Sequence, residues 1–141
     1  MHTEHLQNVH PVRIAAGWLV SIAITSVAVF GFIVLGLMEG DGPRDTLWAM
    51  VAVAVGFLVG GWFTGMRTVE APILHGIALG LTSLVAWVVL NAVAMVFGMA
   101  EWTGLSASAT AGVMLLQIVA AVGGCLLGTR MTNNAQLTTD N

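Results

Sequence analysis

The chain has 141 residues, of which 57% are hydrophobic and only 8% are charged, and its formal net charge is −3. A soluble domain carries roughly 25% charged residues, so this composition excludes an ordinary water-soluble fold and indicates a membrane protein. With four arginines and no lysine, the chain also lacks the basic surface that nucleic-acid binding requires.

Four apolar stretches are long enough to cross a bilayer, whose roughly 30 Å hydrocarbon core needs about 20 residues of helix. The loops between them are short, so neighbouring spans must run antiparallel, and helices satisfy their own backbone in lipid. We therefore predict an all-α polytopic membrane protein, an up-down bundle of four transmembrane helices. The predicted spans are residues 14–38, 46–66, 73–99 and 105–129.

The spans divide the chain into two tandem helical hairpins. The first hairpin covers residues 14–66 and the second covers residues 73–130, with a cytoplasmic loop, 67–72, between them. An N-terminal tail, 1–13, and a polar C-terminal tail, 131–141, complete the predicted organisation.

Three of the four arginines, Arg13, Arg67 and Arg130, lie at the same end of the predicted spans, and we call it the arginine end. Arg44 lies at the opposite end. By the positive-inside rule, we expect a protein of the bacterial inner membrane with both termini in the cytoplasm. Arg13, Arg67 and Arg130 are expected to be interfacial anchors that reach lipid phosphate; the alternative is a specific lipid or a partner's carboxylate.

The pattern G-G-x-x-x-G-x-R occurs twice, at residues 60–67 and 123–130, with a constant offset of 63 residues. Each copy ends an apolar run. Because each repeat unit crosses the membrane twice, both copies have the same orientation. The sequence therefore predicts two direct repeats of one hairpin.

Small residues are expected to bring the helices together, because lipid is as apolar as leucine and association depends on close packing. The candidates cluster toward the arginine end, so we expect a bundle that is tight there and looser at the opposite end. Whether these glycine faces meet within one chain or between chains stays open. The predicted packing residues are Gly17, Gly56, Gly60, Gly61, Gly65, Gly76, Gly80, Gly124 and Gly128.

Few polar side chains lie inside the spans, and no charged residue lies deep in any of them. Asn91 and Gln117, together with Ser83 and Thr25, are candidates for a polar path through the membrane. The competing interpretation is a set of interhelical hydrogen bonds that only fix the packing. The absence of a membrane-embedded charge disfavours coupled transport.

Two histidines near the arginine end, His10 and His75, are candidate ligands for a haem iron or a chlorophyll magnesium. The competing interpretation of His75 is a helix-end group that contacts a carbonyl. The sequence contains neither a nucleophile–base pair nor a metal-ligand spacing, so we expect no enzymatic activity and no metal site. The single cysteine, Cys125, excludes an internal disulfide.

The segment GGWFTGMR at residues 60–67, followed by LHGIALGL at residues 74–81, resembles small four-span bacterial membrane proteins of the YrzE-like kind. Those proteins share a glycine pair, then a small residue and an arginine, then a short loop into a histidine–glycine step. The resemblance implies a four-helix membrane fold and assigns no activity and no catalytic residue.

These features predict an accessory subunit that packs against a larger membrane complex, such as an energy-transducing one. Membrane lipids and other transmembrane subunits are its expected partners, with bound lipid in place of a cofactor. The alternatives are a small homo-oligomeric channel or transporter and a haem- or chlorophyll-binding subunit.

Overall fold

A computed structural model describes residues 11–40, 42–68, 71–98 and 107–139. These ranges contain four α-helices and no strand. The helices are α1 (Pro11–Val34), α2 (Pro43–Gly65), α3 (Pro72–Val96) and α4 (Ala107–Thr139). All four contain a stretch long and apolar enough to cross a membrane. The predicted all-α, four-transmembrane-helix bundle is confirmed.

Proline begins the first three helices, where its missing N–H costs no helical hydrogen bond. In the first turn of α2, the carboxylate of Asp45 accepts hydrogen bonds from the backbone N–H groups of Gly40 (2.6 Å) and Glu39 (3.4 Å), which precede the helix. Before α3, Ala71 has a left-handed backbone with φ 48°. Such a conformation is unfavourable for alanine, so this helix start is strained.

Two glycines end α1 and α3 earlier than the predicted limits at residues 38 and 99. Gly36 has φ +68° and Gly98 has φ +71°, a region that glycine enters without a steric cost. At Gly36 the hydrogen bonds Leu37 N–H to Phe32 O (2.9 Å) and Gly36 N–H to Ile33 O (3.0 Å) form a Schellman motif. Gly36 and Gly98 are 62 residues apart, so the stop signal is itself repeated.

Helix α4 has 33 residues and continues through most of the predicted polar tail. Beyond Arg130 it extends by roughly 14 Å at 1.5 Å per residue. The extension contacts the end of α2: the Trp62 indole N–H lies 3.3 Å from Met131 Sδ, and the Thr132 hydroxyl lies 3.4 Å from the Met66 carbonyl oxygen. The polar tail therefore begins as an ordered helix packed on the bundle.

The α2–α4 pair forms the most extensive helix contact, followed by the contacts within the two hairpins, α1–α2 and α3–α4. Gly61 packs on Ala121 and Gly65 packs on Cys125, so α2 and α4 run parallel. The two hairpins are thus joined mainly through their second helices.

The α2–α4 contact is close to two-fold symmetric within a single chain. Gly61 faces Ala121, whereas its repeat equivalent Gly124 faces Leu58, and residues 58 and 121 are themselves separated by the repeat offset. In the same way, Gly65 faces Cys125 and Gly128 faces Trp62. Equivalent faces therefore meet each other, as they do in an isologous homodimer.

The contacts inside the two hairpins differ. In the first hairpin, Gly56 and Gly60 of α2 pack against the face of α1 that carries Ser21 and Thr25. Gly60 and Gly61 are adjacent, so they point about 100° apart and serve two different partner helices. In the second hairpin the glycines come from α3 instead, because Gly76 packs on Val122 and Gly80 packs on Ile118, while Gly123 faces open space.

Candidate functional site

A cavity of about 210 Å³ lies between α1, α3 and α4, in the middle of the bundle and toward the end opposite the arginines. We call it the α1/α3/α4 cavity. Its lining is mostly aliphatic and aromatic, with an amide and two hydroxyl side chains. The lining residues are Trp18, Ile22, Ser83, Ala86, Trp87, Leu90, Thr110, Val113, Met114 and Gln117.

A second cavity, of about 280 Å³, lies between α2 and α4 in the same half of the bundle. Thr46, Met50 and Val53 of α2 face Ala109 and Leu116 of α4 across it. The two helices that touch through glycine at the arginine end therefore separate toward the opposite end. Helix α4 borders both cavities, since Val113 lines each of them.

Gln117 provides the polar group of the α1/α3/α4 cavity that lacks a hydrogen-bond partner. Its Oε1 atom is buried and accepts no hydrogen bond. Nearby, Ser83 Oγ accepts a hydrogen bond of 3.0 Å from the Trp18 indole N–H. A buried, unpaired amide oxygen costs about 1–3 kcal/mol, and because less than 1 Å² of this atom is accessible, a water-sized donor in the cavity does not reach it.

The four residues of the predicted polar path do not all meet. Ser83 and Gln117 line the same cavity. Thr25 lies between α1 and α2, where its hydroxyl donates to the Ser21 carbonyl oxygen at 2.8 Å. The Asn91 amide donates to the Trp87 carbonyl oxygen of its own helix at 2.8 Å. The structure therefore joins two of the four candidates at one cavity, and Thr25 and Asn91 do not line it.

The nine glycines of the predicted packing set all lie at helix contacts inside the chain. A Cβ atom added at any of them would come closer than 3.0 Å to an atom of another helix. Such contacts are well inside the 3.5–4.0 Å of ordinary carbon packing. These glycine faces are therefore occupied by the chain's own helices.

The three arginines named as anchors lie at one end of the bundle. Arg13 Nη1 donates to the Arg67 carbonyl oxygen at 2.6 Å, and the Arg67 guanidinium lies 3.8 Å from the centre of the Phe63 ring. Arg130 is exposed on α4 next to Thr129, whose hydroxyl lies 3.2 Å from the Gly65 carbonyl oxygen. Arg13 thereby pairs a cation with the negative end of the α2 dipole.

His75 is completely buried at the start of α3, and His10 lies outside the described residues. The Nδ1 atom of His75 lies 3.1 Å from the Ala71 carbonyl oxygen, which also accepts the His75 backbone N–H at 3.2 Å. A haem or chlorophyll could reach this imidazole only if the surrounding helices moved apart. Within the described part of the chain, no group of three or more His, Cys, Asp or Glu could hold a metal ion.

The cavity itself could not be predicted from the sequence. Its Trp18–Ser83 hydrogen bond joins residues 65 positions apart on helices whose pairing no sequence pattern specifies. Gln117 and Ser83, two of the four polar-path candidates, were the sequence signals of the site.

No known protein family, curated protein or solved structure matches the chain.

Proposed function

We propose that this protein is a non-catalytic accessory subunit that packs in the membrane against a larger transmembrane complex, such as an energy-transducing one. The observation that carries the proposal is the state of α3 beyond Ser83. Trp87, Val88, Val89 and Leu90 are 41–56% exposed. Because successive helical residues point about 100° apart, four exposed neighbours mean that this stretch is exposed around much of its circumference.

The same stretch of α3 carries a polar group that favours a protein partner over lipid. Asn91 is partly exposed, and its amide N–H bond to Trp87 leaves the Oδ1 atom as an acceptor. Asparagine side chains inside membranes commonly form hydrogen bonds with neighbouring helices, because lipid offers no donor. A transmembrane helix with a polar residue at this depth would complete the site.

The glycine contacts also support α3 as the surface for a partner. Since the glycine faces hold the chain's own helices together, they are not open to a partner, whereas the half of α3 beyond Ser83 remains exposed. The proposal includes location in a bacterial inner membrane, termini in the cytoplasm and membership of the YrzE-like proteins. The excess of arginines at one end of the spans supports the location and the topology, and the motif at residues 60–67 supports the membership.

Photo-crosslinking in native membranes tests the proposal. A photoreactive residue replaces Val89 on α3 or, as the control, Val27, which lies at a similar distance along α1 and is 68% exposed. We expect the Val89 position to capture another transmembrane protein and the Val27 position to capture only lipid. Lipid adducts alone at both positions would contradict an accessory role.

A small homo-oligomeric channel or transporter is the second candidate, because Ser83 and Gln117 share a cavity inside the membrane. For this function, crosslinks from Val89 would join two copies of the same chain. Solute flux into liposomes should then fall strongly in Gln117→Leu. Liposomes that remain impermeable with the wild-type protein would exclude it.

A further inference from the structure

We propose that the cavity between α2 and α4 binds one acyl chain of a membrane phospholipid. The cavity lies between residues 46–53 of α2 and residues 109–116 of α4, and we call it the α2/α4 groove. The proposal is separate from the accessory role, because the surface proposed for a protein partner lies on α3.

The groove begins where the glycine contacts between α2 and α4 end, at Leu58 and Gly124. Beyond this pair, the facing residues of both helices carry side chains, so the helix axes move apart. Ala49 and Ala109 contribute only a methyl group each to the lining, which is too little to fill the space between them. A gap of about 280 Å³ remains that no described side chain fills.

The groove opens sideways toward the lipid. On α2, Met50 lines it and is 36% exposed. On α4, Gly112 lies within about 60° of lining residues 109 and 116 around the helix axis. Gly112 is exposed, and a Cβ atom added there would meet nothing within 4 Å. Helix α3 packs on Ile118, about 120° around α4 from Gly112, so a partner on α3 leaves this opening free.

Water does not suit the groove. A buried water needs about two to four polar partners, and among the described lining residues Thr46 is the one polar side chain. Thr46 is the first residue of the second predicted span, so it lies at the membrane surface and the lining below it is apolar. An empty gap would leave the lining side chains without contacts on one side. The occupant should therefore be apolar.

The dimensions of the groove suit a hydrocarbon chain. From Thr46 to Val53 it extends over roughly 10 Å at 1.5 Å per residue. A further helix, about 10 Å across with its side chains, is too wide for a gap between two helices that touch at one end. The bilayer presents acyl chains along this whole depth. An acyl chain in the groove therefore belongs to a lipid of the leaflet opposite the arginine end, with its polar part near Thr46.

Native mass spectrometry of the purified full-length protein tests the proposal, with dioleoylphosphatidylcholine as the probe. Its headgroup carries no net charge, so attraction to the arginines does not dominate binding. Glycerophosphocholine is the matched compound, because it has the same headgroup and no acyl chains. On the ion of a single protein chain, we expect one phospholipid to survive a detergent wash and no glycerophosphocholine to bind.

Two variants locate the lipid. Ala109→Phe fills the groove from α4 and should lose the retained phospholipid. Ala111→Phe is the control, because residue 111 is exposed on the same helix and does not line the groove, so the phospholipid should be retained. Burial of Cys125, which lies beyond the glycine contacts, shows whether each variant is folded.

A photoreactive lipid provides a second measurement that needs no variant. The wild-type protein binds a phosphatidylcholine with a diazirine in one acyl chain, and the sample is washed and then illuminated. We expect the adduct at Val113 and Leu116, which line the groove. Their neighbour Leu115 is 64% exposed to the lipid and serves as the internal control.

Three results would overturn the proposal. The first is a folded wild-type chain that holds no phospholipid after the wash. The second is equal retention in folded Ala109→Phe and Ala111→Phe, which would place the lipid outside the groove. The third is an adduct at Leu115 without one at Val113 or Leu116, and this result decides the question if Ala109→Phe exposes Cys125.

Discussion

Two adjacent glycines of α4 allow the close packing of α2 and α4 to be measured. A Cβ atom at Gly124 would meet the Leu58 carbonyl oxygen and lie 2.7 Å from the backbone nitrogen of Trp62. A Cβ atom at Gly123 would meet nothing within 4 Å. Since the obstructing atoms at Gly124 belong to the backbone, no side-chain rotation relieves the clash. We therefore predict opposite effects of Gly124→Ala and Gly123→Ala on stability.

The magnitude follows from two contributions. Replacing a helical glycine by alanine stabilises a helix by up to about 1 kcal/mol, and this contribution is common to both variants. Overpacking a close contact costs about 1–3 kcal/mol, and only Gly124→Ala incurs it. The difference in unfolding free energy between the two variants should therefore be about 1–3 kcal/mol.

The single thiol provides the assay. Cys125 is fully buried, and its backbone packs on Gly65, so a maleimide should react only when the α2–α4 contact opens. A difference of 1–3 kcal/mol corresponds to alkylation about 5–150 times faster in Gly124→Ala than in Gly123→Ala. Both variants should react at the same rate after unfolding. Equal rates in the folded proteins would refute the close contact between α2 and α4.

Three further predictions concern the helix ends. Gly36→Ala should lower the unfolding free energy by about 1 kcal/mol because φ is positive, whereas Gly31→Ala, in open space inside α1, should not lower it. Ala71→Gly should raise the unfolding free energy by about 0.5–1 kcal/mol, because glycine adopts the left-handed backbone without strain. Thermal unfolding in detergent measures this change, and an unchanged midpoint would contradict the strain at Ala71. Asp45→Ala should cost about 1 kcal/mol through the lost bond to the Gly40 N–H, and equal stability in Asp45→Asn and Asp45→Ala would argue against that bond.

The four spans and the hairpin repeat could be predicted from the sequence because hydrophobic length and glycine spacing are local properties. The pairing of helices could not be predicted. Gly61 and Gly76 look alike in sequence. Gly61 joins α2 to α4, whereas Gly76 joins α3 to α4, and the sequence does not specify either pairing. Lipid-exposed and protein-facing surfaces have the same apolar composition, so only the assembled backbone shows which face meets which helix.

The residues of the cavity, too, could be predicted only in part from the sequence. Gln117 could be recognised as an unusual amide in an apolar span, but its neighbours Trp18 and Ser83 are brought near it by the tertiary packing of three helices. The helix stops were visible in principle, because Gly36 and Gly98 recur at almost the same offset as the main repeat. Glycine-rich sequences hide such signals, since most glycines in this chain serve packing.

The mass of the particle extracted from native membranes in mild detergent tests whether the exposed half of α3 holds a protein partner. The chain alone has a mass of 14.7 kDa. We expect a heavier particle that contains a second transmembrane protein, and a smaller particle in Asn91→Leu, while burial of Cys125 stays unchanged. A wild-type particle with the mass of one chain and its bound lipid would contradict the claim that α3 holds a partner.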